Sequence, residues 1–330
     1  MDNIITVNQL TKYFKVSRHH RGSWSFVRNL LTRESRLVRA VDGISFRIQA
    51  GELVGYLGPN GAGKSTTIKI LTGLLVPSSG EVCVNGYLPW RDRQRYVGNI
   101  GAVFGQRTTL WWDLPVIESL ELLRYIYDIP SAVYEQNLKA FRSLLDLDAF
   151  IDTPVRSLSL GQRMRADLCA ALLHDPILLY LDEPTIGLDV VAKERIRQFI
   201  IHINRDRGTT ILLTTHDLSD VEKLCERVMI IDQGRLLYDG ELLHLRERFG
   251  GKRRLIVDFG EFYEDVQVPD LELVSREGVR VTYQFDRGEV TASELINRLS
   301  QRYRIRDLQV KEPEIEETVR RIYEERLLEL

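Results

Sequence analysis

Glu52-Leu-Val-Gly-Tyr-Leu57-Gly58-Pro-Asn-Gly-Ala-Gly-Lys64-Ser65-Thr-Thr-Ile-Lys-Ile-Leu71-Thr-Gly-Leu74 is the stretch whose reading decides the fold. Leu53, Val54, Tyr56 and Leu57 form a short apolar run that predicts a strand, and Ile68, Leu71, Leu74 and Leu75 recur at helical spacing, predicting a helix over 66–74. Between them lie Gly58, Pro59, Asn60, Gly61, Ala62, Gly63, Lys64 and Ser65, followed by Thr66. Strand, glycine-rich turn and helix in that order place backbone N–H groups around an anion at a helix N-terminus. Glycines let the backbone wrap closely spaced phosphate oxygens. Lys64 is predicted to reach the β- and γ-phosphates and Ser65 to set its hydroxyl on Mg²⁺.

Further out, polar residues stand at the ends of other apolar runs. Ile177-Leu-Leu-Tyr-Leu181 is continuous enough for a strand buried on both faces, and Asp182-Glu183 ends it. In an open α/β sheet the carboxyl ends of the strands line the ligand crevice, so the two acids are placed for metal and catalysis. Because adjacent strand residues point to opposite sides, Asp182 would serve the metal and Glu183 an attacking water. A strand over 99–104 delivers Gln106, within reach of a metal-bound water, and one over 209–215 ends at His216. Ser157-Leu-Ser159-Leu-Gly161-Gln162, before the helix through Met164, Leu168, Ala171 and Leu172, reads as a second anion site or an ordinary helix cap. Ile186-Gly-Leu-Asp189 turns into a helix over 193–207.

Strands are predicted over 4–10 and 41–48. Between them, residues 15–39 carry seven cations against the single Glu34, interleaved with Trp24, Phe26, Leu30 and Leu31. That basic amphipathic segment either touches anionic headgroups or a partner, or is an insertion packing its apolar residues on the domain. Trp111-Trp112 opens a helical region, with helices at 116–127 and 131–147, and serves either core or interface. From about Gly250 the texture changes to strands, a helix over 291–302 and a final helix from Pro313, an α+β module with no evident ligand constellation.

The 330 residues suit one large and one small domain, and a net charge of −2 gives no global field toward nucleic acid. Cys83, Cys169 and Cys225 lack metal-ligand spacing and read as reduced, packing thiols. No apolar run approaches the roughly 18 residues of a membrane span, so a partner must supply any spanning part.

Taken together, the ordered motifs resemble the ATP-binding subunits of ABC transporters over residues 1–245. The matching positions are the Walker A loop at Gly58 to Ser65, the Q-loop Gln106, the signature Leu158-Ser-Leu-Gly-Gln162, Walker B with Asp182 and Glu183, the D-loop to Asp189, and the H-loop His216. The signature differs from the family's Leu-Ser-Gly-Gly-Gln by carrying Leu160. The resemblance implies an α/β P-loop NTPase core of ABC type with an antiparallel β subdomain and a helical subdomain near 107–175, plus an accessory α+β domain over 246–330. It further implies that Phe14, or its neighbour Tyr13, stacks on adenine. Two copies, or one copy and a related subunit, would sandwich ATP and Mg²⁺, with Glu183, His216, Lys64 and Gln106 in the catalytic set. The motion would drive a separate multi-span permease from the cytoplasmic face, as in exporters of drugs, lipids, ions or polysaccharides. Alternative readings are a soluble ABC-type ATPase of translation, repair or chromosome structure, and a ligand-sensing C-terminal module with an ATPase attached.

Overall fold

The structure, a computed structural model, describes residues 3–17, 35–105, 107–249, 252–264, 266, 268–286, 289–313 and 315–328. Strand β1 (Asn3–Ser17) pairs antiparallel with β2 (Ser35–Gln49), from Asn3↔Gln49 to Ser17↔Ser35. Both outrun the strands predicted from apolar pattern. Residues 15–17 and 35–39 of the basic segment are therefore strand, because each added pair satisfies backbone groups even where side chains such as Val16 and Leu37 are exposed. Residues 18–34 of that segment lie outside the described residues.

Next come β3 (Leu53–Leu57) and α1 (Lys64–Leu71), which starts at the lysine rather than at Thr66 and stops short of Leu74. β4 (Ser79–Val84) joins the other edge of β1, completing the three-stranded antiparallel sheet β2-β1-β4. The short α2 (Arg93–Val97), which no periodicity announces, leads to β5 (Ile100–Phe104). Helices α3 (Val116–Ile126), α4 (Ser131–Leu145) and α5 (Leu160–Leu172) form the helical region. β6 (Leu178–Asp182), α6 (Val190–Arg207), β7 (Thr210–Thr215), α7 (Leu218–Leu224), β8 (Arg227–Asp232) and β9 (Arg235–Glu241) follow.

The main sheet has the order β5-β6-β7-β3-β8-β9, with the neighbours from β5 to β8 running parallel. Every residue of β7, and β6 from Leu178 to Leu181, is buried, as a parallel sheet covered on both faces requires. Three buried phenols fasten α1 and α2 to this sheet. Tyr96 donates to the Leu71 carbonyl at 2.6 Å and lies 3.1 Å from the Tyr180 hydroxyl, while Tyr56 shares a 3.3 Å hydrogen bond with Thr67. Burial pushes all three phenols up, so they remain neutral donors. The ends of β3, β6 and β7 lie side by side, and this is where the sequence puts its polar residues.

A second compact unit begins at Glu241. It comprises α8 (Leu242–Phe249), β10 (Arg253–Phe259), β11 (Glu272–Glu277), β12 (Arg280–Phe285), α9 (Ala292–Ser300), β13 (Ile305–Lys311) and α10 (Ile315–Leu328). The first unit ends at Gly240, a few residues before the division read from sequence, because α8 packs with α10. Leu255, Val257 and Phe259 alternate against Val281, Tyr283 and Phe285, with Leu295 and Leu299 of α9 in the same core.

Close packing makes one glycine of the main sheet testable. A methyl at Gly101 would sit 2.4 Å from the Ala171 carbonyl oxygen, whereas one at Gly98 would meet nothing nearer than 3.9 Å. Gly101→Ala is expected to cost about 1–3 kcal/mol in denaturant unfolding. Gly98→Ala, with ordinary φ, should be neutral or stabilising by up to about 1 kcal/mol.

Candidate nucleotide site

The glycine loop is held from behind by main chain. A methyl on Gly58 would sit 2.3 Å from the Ile231 carbonyl oxygen, and one on Gly63, at φ +113°, 2.3 Å from that of Ala40. Only bare α-carbons fit there. Outward, the missing methyl of Gly61 has nothing within 4 Å. Inside the loop the Ala62 N–H donates to the Pro59 carbonyl at 3.1 Å, and Asn60 is exposed. α1 starts without a side-chain cap, so the first N–H groups of its opening turn, through Ser65 and the half-buried Thr66, lack partners within the helix. Lys64, 6% exposed, folds its Nζ back to donate to the carbonyls of Gly58 at 2.6 Å and Pro59 at 3.2 Å. Burial draws its pKa down, while the carboxylates of Glu183 and Asp182 act the other way.

Asp182 closes β6 directly opposite Thr214 of β7. Its Oδ1 accepts from the Thr214 hydroxyl at 2.5 Å and from Ser65 Oγ at 3.3 Å. The next residue turns away. Glu183 has φ +56°, and its N–H donates to the Thr214 carbonyl at 2.9 Å and hydroxyl at 3.2 Å. Divergence of the two carboxylates thus involves a left-handed residue, not the strand alternation expected from sequence, at a local cost of about 1–3 kcal/mol. Glu183 Oε1 lies 3.2 Å from His216 Nδ1, just past the end of β7. Gln106 lies outside the described residues, but its neighbour Gly105 donates to the Asp182 carbonyl at 2.8 Å, and a methyl there would reach the Glu183 carbonyl at 2.4 Å.

Thr214 went unnoticed in the sequence, although a Thr-Thr pair ending a buried apolar strand is an available signal. A second group was equally hidden: buried Asp220 on α7 accepts from Thr185, two residues past Glu183, and from Arg197 Nε at 2.6 Å. A buried pair of this kind fixes one arrangement, since removing either partner strands a charge. It ties the segment after Glu183 to the segment after His216.

The serine turn stands apart. Ser159 caps α5: its Oγ accepts from the Gln162 N–H at 3.2 Å, and Gln162 Oε1 accepts from the Ser159 N–H at 2.9 Å. The serine hydroxyl keeps its proton to donate. Gly161 faces Leu188 and Ala192, and Asp189 caps α6 through the Ala192 N–H at 2.8 Å. Among the described residues no hydrogen bond joins Ser159, Gly161, Gln162 or Asp189 to the glycine loop. Phe14 and Tyr13 are both exposed on β1, and the Lys12 ammonium lies 5.3 Å from the Phe14 ring centre.

Residues 41–186 match the family model described as ABC transporter. The chain is 32% identical over 214 residues to the ABC transporter ATP-binding protein NatA of Bacillus subtilis, covering 65% of this chain and 87% of that protein. This chain belongs to the ABC transporter ATP-binding proteins. As such it binds and hydrolyses ATP. This ABC ATPase is also 38% identical over 211 residues to the Nod factor export ATP-binding protein I of Neorhizobium galegae, spanning 63% of this chain but only 59% of that relative. The linearmycin resistance ATP-binding protein LnrL of Bacillus subtilis is 35% identical, with 64% and 67% covered. Among solved structures, a dimeric ATP-binding cassette in a post-hydrolysis state with ADP and Pi superimposes with a TM-score of 0.60 at 25% identity, over 72% of this chain and 98% of that one. A subunit from Clostridium perfringens that is part of an ABC transporter complex gives 0.59 at 26% identity, over 73% and 89%.

Near the site, Asp167 of α5 is buried and accepts through Oδ1 from Thr108 Oγ1 at 2.8 Å and the Thr109 N–H at 2.9 Å, fastening the loop that follows β5. Burial pushes its pKa from 3.8 to about 6, against the pull of those hydrogen bonds. The proton is held more tightly in the folded chain. The carboxylate therefore penalises folding progressively between about pH 4 and 6, by on the order of 3 kcal/mol when fully ionised. Asp167→Asn keeps the acceptor oxygen, so its stability relative to the parent, measured by urea unfolding, should rise across that interval and level off above it.

Proposed function

We propose that this chain is the ATPase subunit of an exporter whose membrane-spanning permease is a separate chain, and that it works as a pair of ATPase subunits at the cytoplasmic face. The observation that carries this reading is the division of the site. Lys64, Ser65, Asp182, Glu183 and His216 gather at the ends of three neighbouring strands, while Ser159, Gly161 and Gln162 have no hydrogen bond to them. A second copy, or a related subunit, would bring its serine turn to the nucleotide on the glycine loop. The dimeric form of the similar cassette supports this. Export is supported by relatives named for Nod factor export and linearmycin resistance, and leaves drugs, lipids, ions and polysaccharides as cargo classes. No helix among the described residues is long and apolar enough to cross a membrane, which suits a peripheral subunit.

In this reading Phe14 stacks on adenine, the loop from Gly58 to Thr66 cradles the phosphates, and Lys64 exchanges the Gly58 and Pro59 carbonyls for β- and γ-oxygens. The Ser65 hydroxyl and Asp182 carboxylate already converge and would hold Mg²⁺, with Gln106 as a further contributor to its shell. Among the described residues no three His, Cys, Asp or Glu side chains cluster for a metal, so the ion would share its shell with the substrate's phosphates. Mg²⁺ would neutralise charge on those oxygens. Glu183, aimed by its left-handed backbone, polarises or deprotonates the attacking water, and His216 holds that carboxylate and the γ-phosphate in place. Ser159, Gly161 and Gln162 of the second copy donate from across, with that copy's Asp189 alongside.

The permease would meet the helical region. Trp111 and Trp112 are exposed, Arg163 lies 5.6 Å from the Trp112 ring centre, and Leu122, Tyr125 and Ile126 leave one face of α3 open to solvent, Tyr125 by 67%.

Glu183→Gln should lower turnover by about 10²–10⁴-fold while the chain still binds ATP and forms a dimer in gel filtration. A variant that remains monomeric with saturating ATP contradicts the paired site. Trp111→Ala with Trp112→Ala should abolish co-purification with the permease and leave nucleotide binding intact; unchanged co-purification refutes docking through the tryptophans.

A further inference from the structure

The signature's departure from its family pattern has a partner in the fold. Leu160, the first residue of α5, extends over the bare α-carbon of Gly187: a methyl placed there would sit 3.1 Å from Leu160 Cδ2. Gly187 adopts φ +70° in the turn between Glu183 and α6. That turn is tied at both ends, through the Ile186 N–H to the Glu183 carbonyl at 3.3 Å and the Ala192 N–H to Asp189 at 2.8 Å. One residue further along α5, a methyl on Gly161 would reach Ala192 Cβ at 3.3 Å and Leu188 Cδ2 at 3.8 Å. The base of the serine turn is therefore seated on the turn that follows the carboxylate of the same chain. With glycine at position 160 this seat would lose the side chain that spans Gly187.

We propose that Leu160 is a positioning residue. It acts through Gly187 to fix Ser159 and Gly161, which serve one nucleotide, relative to Glu183 of the same chain, which serves the other. The inference deepens the two-copy reading and rests on it for the distinction between the two nucleotides, but the contact itself lies within one chain. Leu160 touches no substrate. Its effect should appear in turnover and not in nucleotide affinity.

The test is a double-mutant cycle on the full chain, reading kcat and KM for ATP separately. Leu160→Gly should lower kcat by about threefold to tenfold with KM changed by less than about twofold, and Leu160→Met should restore kcat. Leu160→Ala, which keeps helix propensity at the first turn, should fall in between. Gly187→Ala carries the strain of φ +70° whatever stands at 160, a cost that cancels in the cycle, while the further damage from meeting Leu160 Cδ2 at 3.1 Å should disappear beside glycine at 160; contacting residues give such non-additive cycles. Additive effects, or unchanged kcat in Leu160→Gly, would overturn the proposal. The outcomes separate the two readings: a non-additive cycle with a Glu183→Gln chain that never pairs sinks the paired site and leaves the tie, while pairing with an additive cycle sinks the tie alone.

Discussion

A single hydroxyl sits at the centre of this site. Thr214 donates to Asp182 and accepts from the Glu183 N–H, so it holds one carboxylate beside Ser65 and helps turn the next toward His216. It can do so only because β6 and β7 run parallel with Asp182 opposite Thr214, and β7 and β3 with Thr215 opposite Leu57. A slip of one residue in either pairing would reverse which side chains face the crevice. The burial of β7 throughout and of β6 up to Leu181 therefore holds a register on which the chemistry depends.

What could be read from residues alone was whatever rests on local order. The glycine loop, the acids after Leu181 and the histidine after Thr215 each follow an apolar run, and a buried strand of that kind needs no partner to be recognised. Less legible was anything that depends on a distant partner. Strand pairing carries β1 and β2 far into a segment whose composition suggested an amphipathic insertion. The left-handed turn at Glu183 depends on Thr214, 31 residues away, and the Arg197–Asp220 pair on two helices that the sequence does not join. Short helices such as α2 and α7 have too few turns to show a period.

The second unit is held by different means. Its core is the alternating apolar set of β10 and β12 beneath α9, and its strands carry surface ion pairs, Arg280 with Asp258, Lys252 with Glu272 and Arg253 with Glu312. Exposed pairs of this kind contribute little, roughly 0–1 kcal/mol each. Apolar burial in the sheet, together with the capping box of Thr291 and Glu294, is what keeps this unit folded.

The atoms pressing on Gly58 and Gly63 are the carbonyl oxygens of Ile231 and Ala40, and every amino acid has one. The mould behind the phosphate cradle is thus set at its tightest points by main chain, with the buried Ile231 side chain beside it, its Cγ2 3.0 Å from a methyl on Gly58 and its Cδ1 3.4 Å from one on Gly63. Ancestral drift at 40 leaves its carbonyl oxygen in place and drift at 231 can reshape only the side-chain part of the wall, whereas the two glycines have no freedom to diverge. Laboratory evolution that seeks a roomier nucleotide pocket would need to displace β2 or β8 bodily, since exchanging side chains in the wall leaves both carbonyl oxygens where they are.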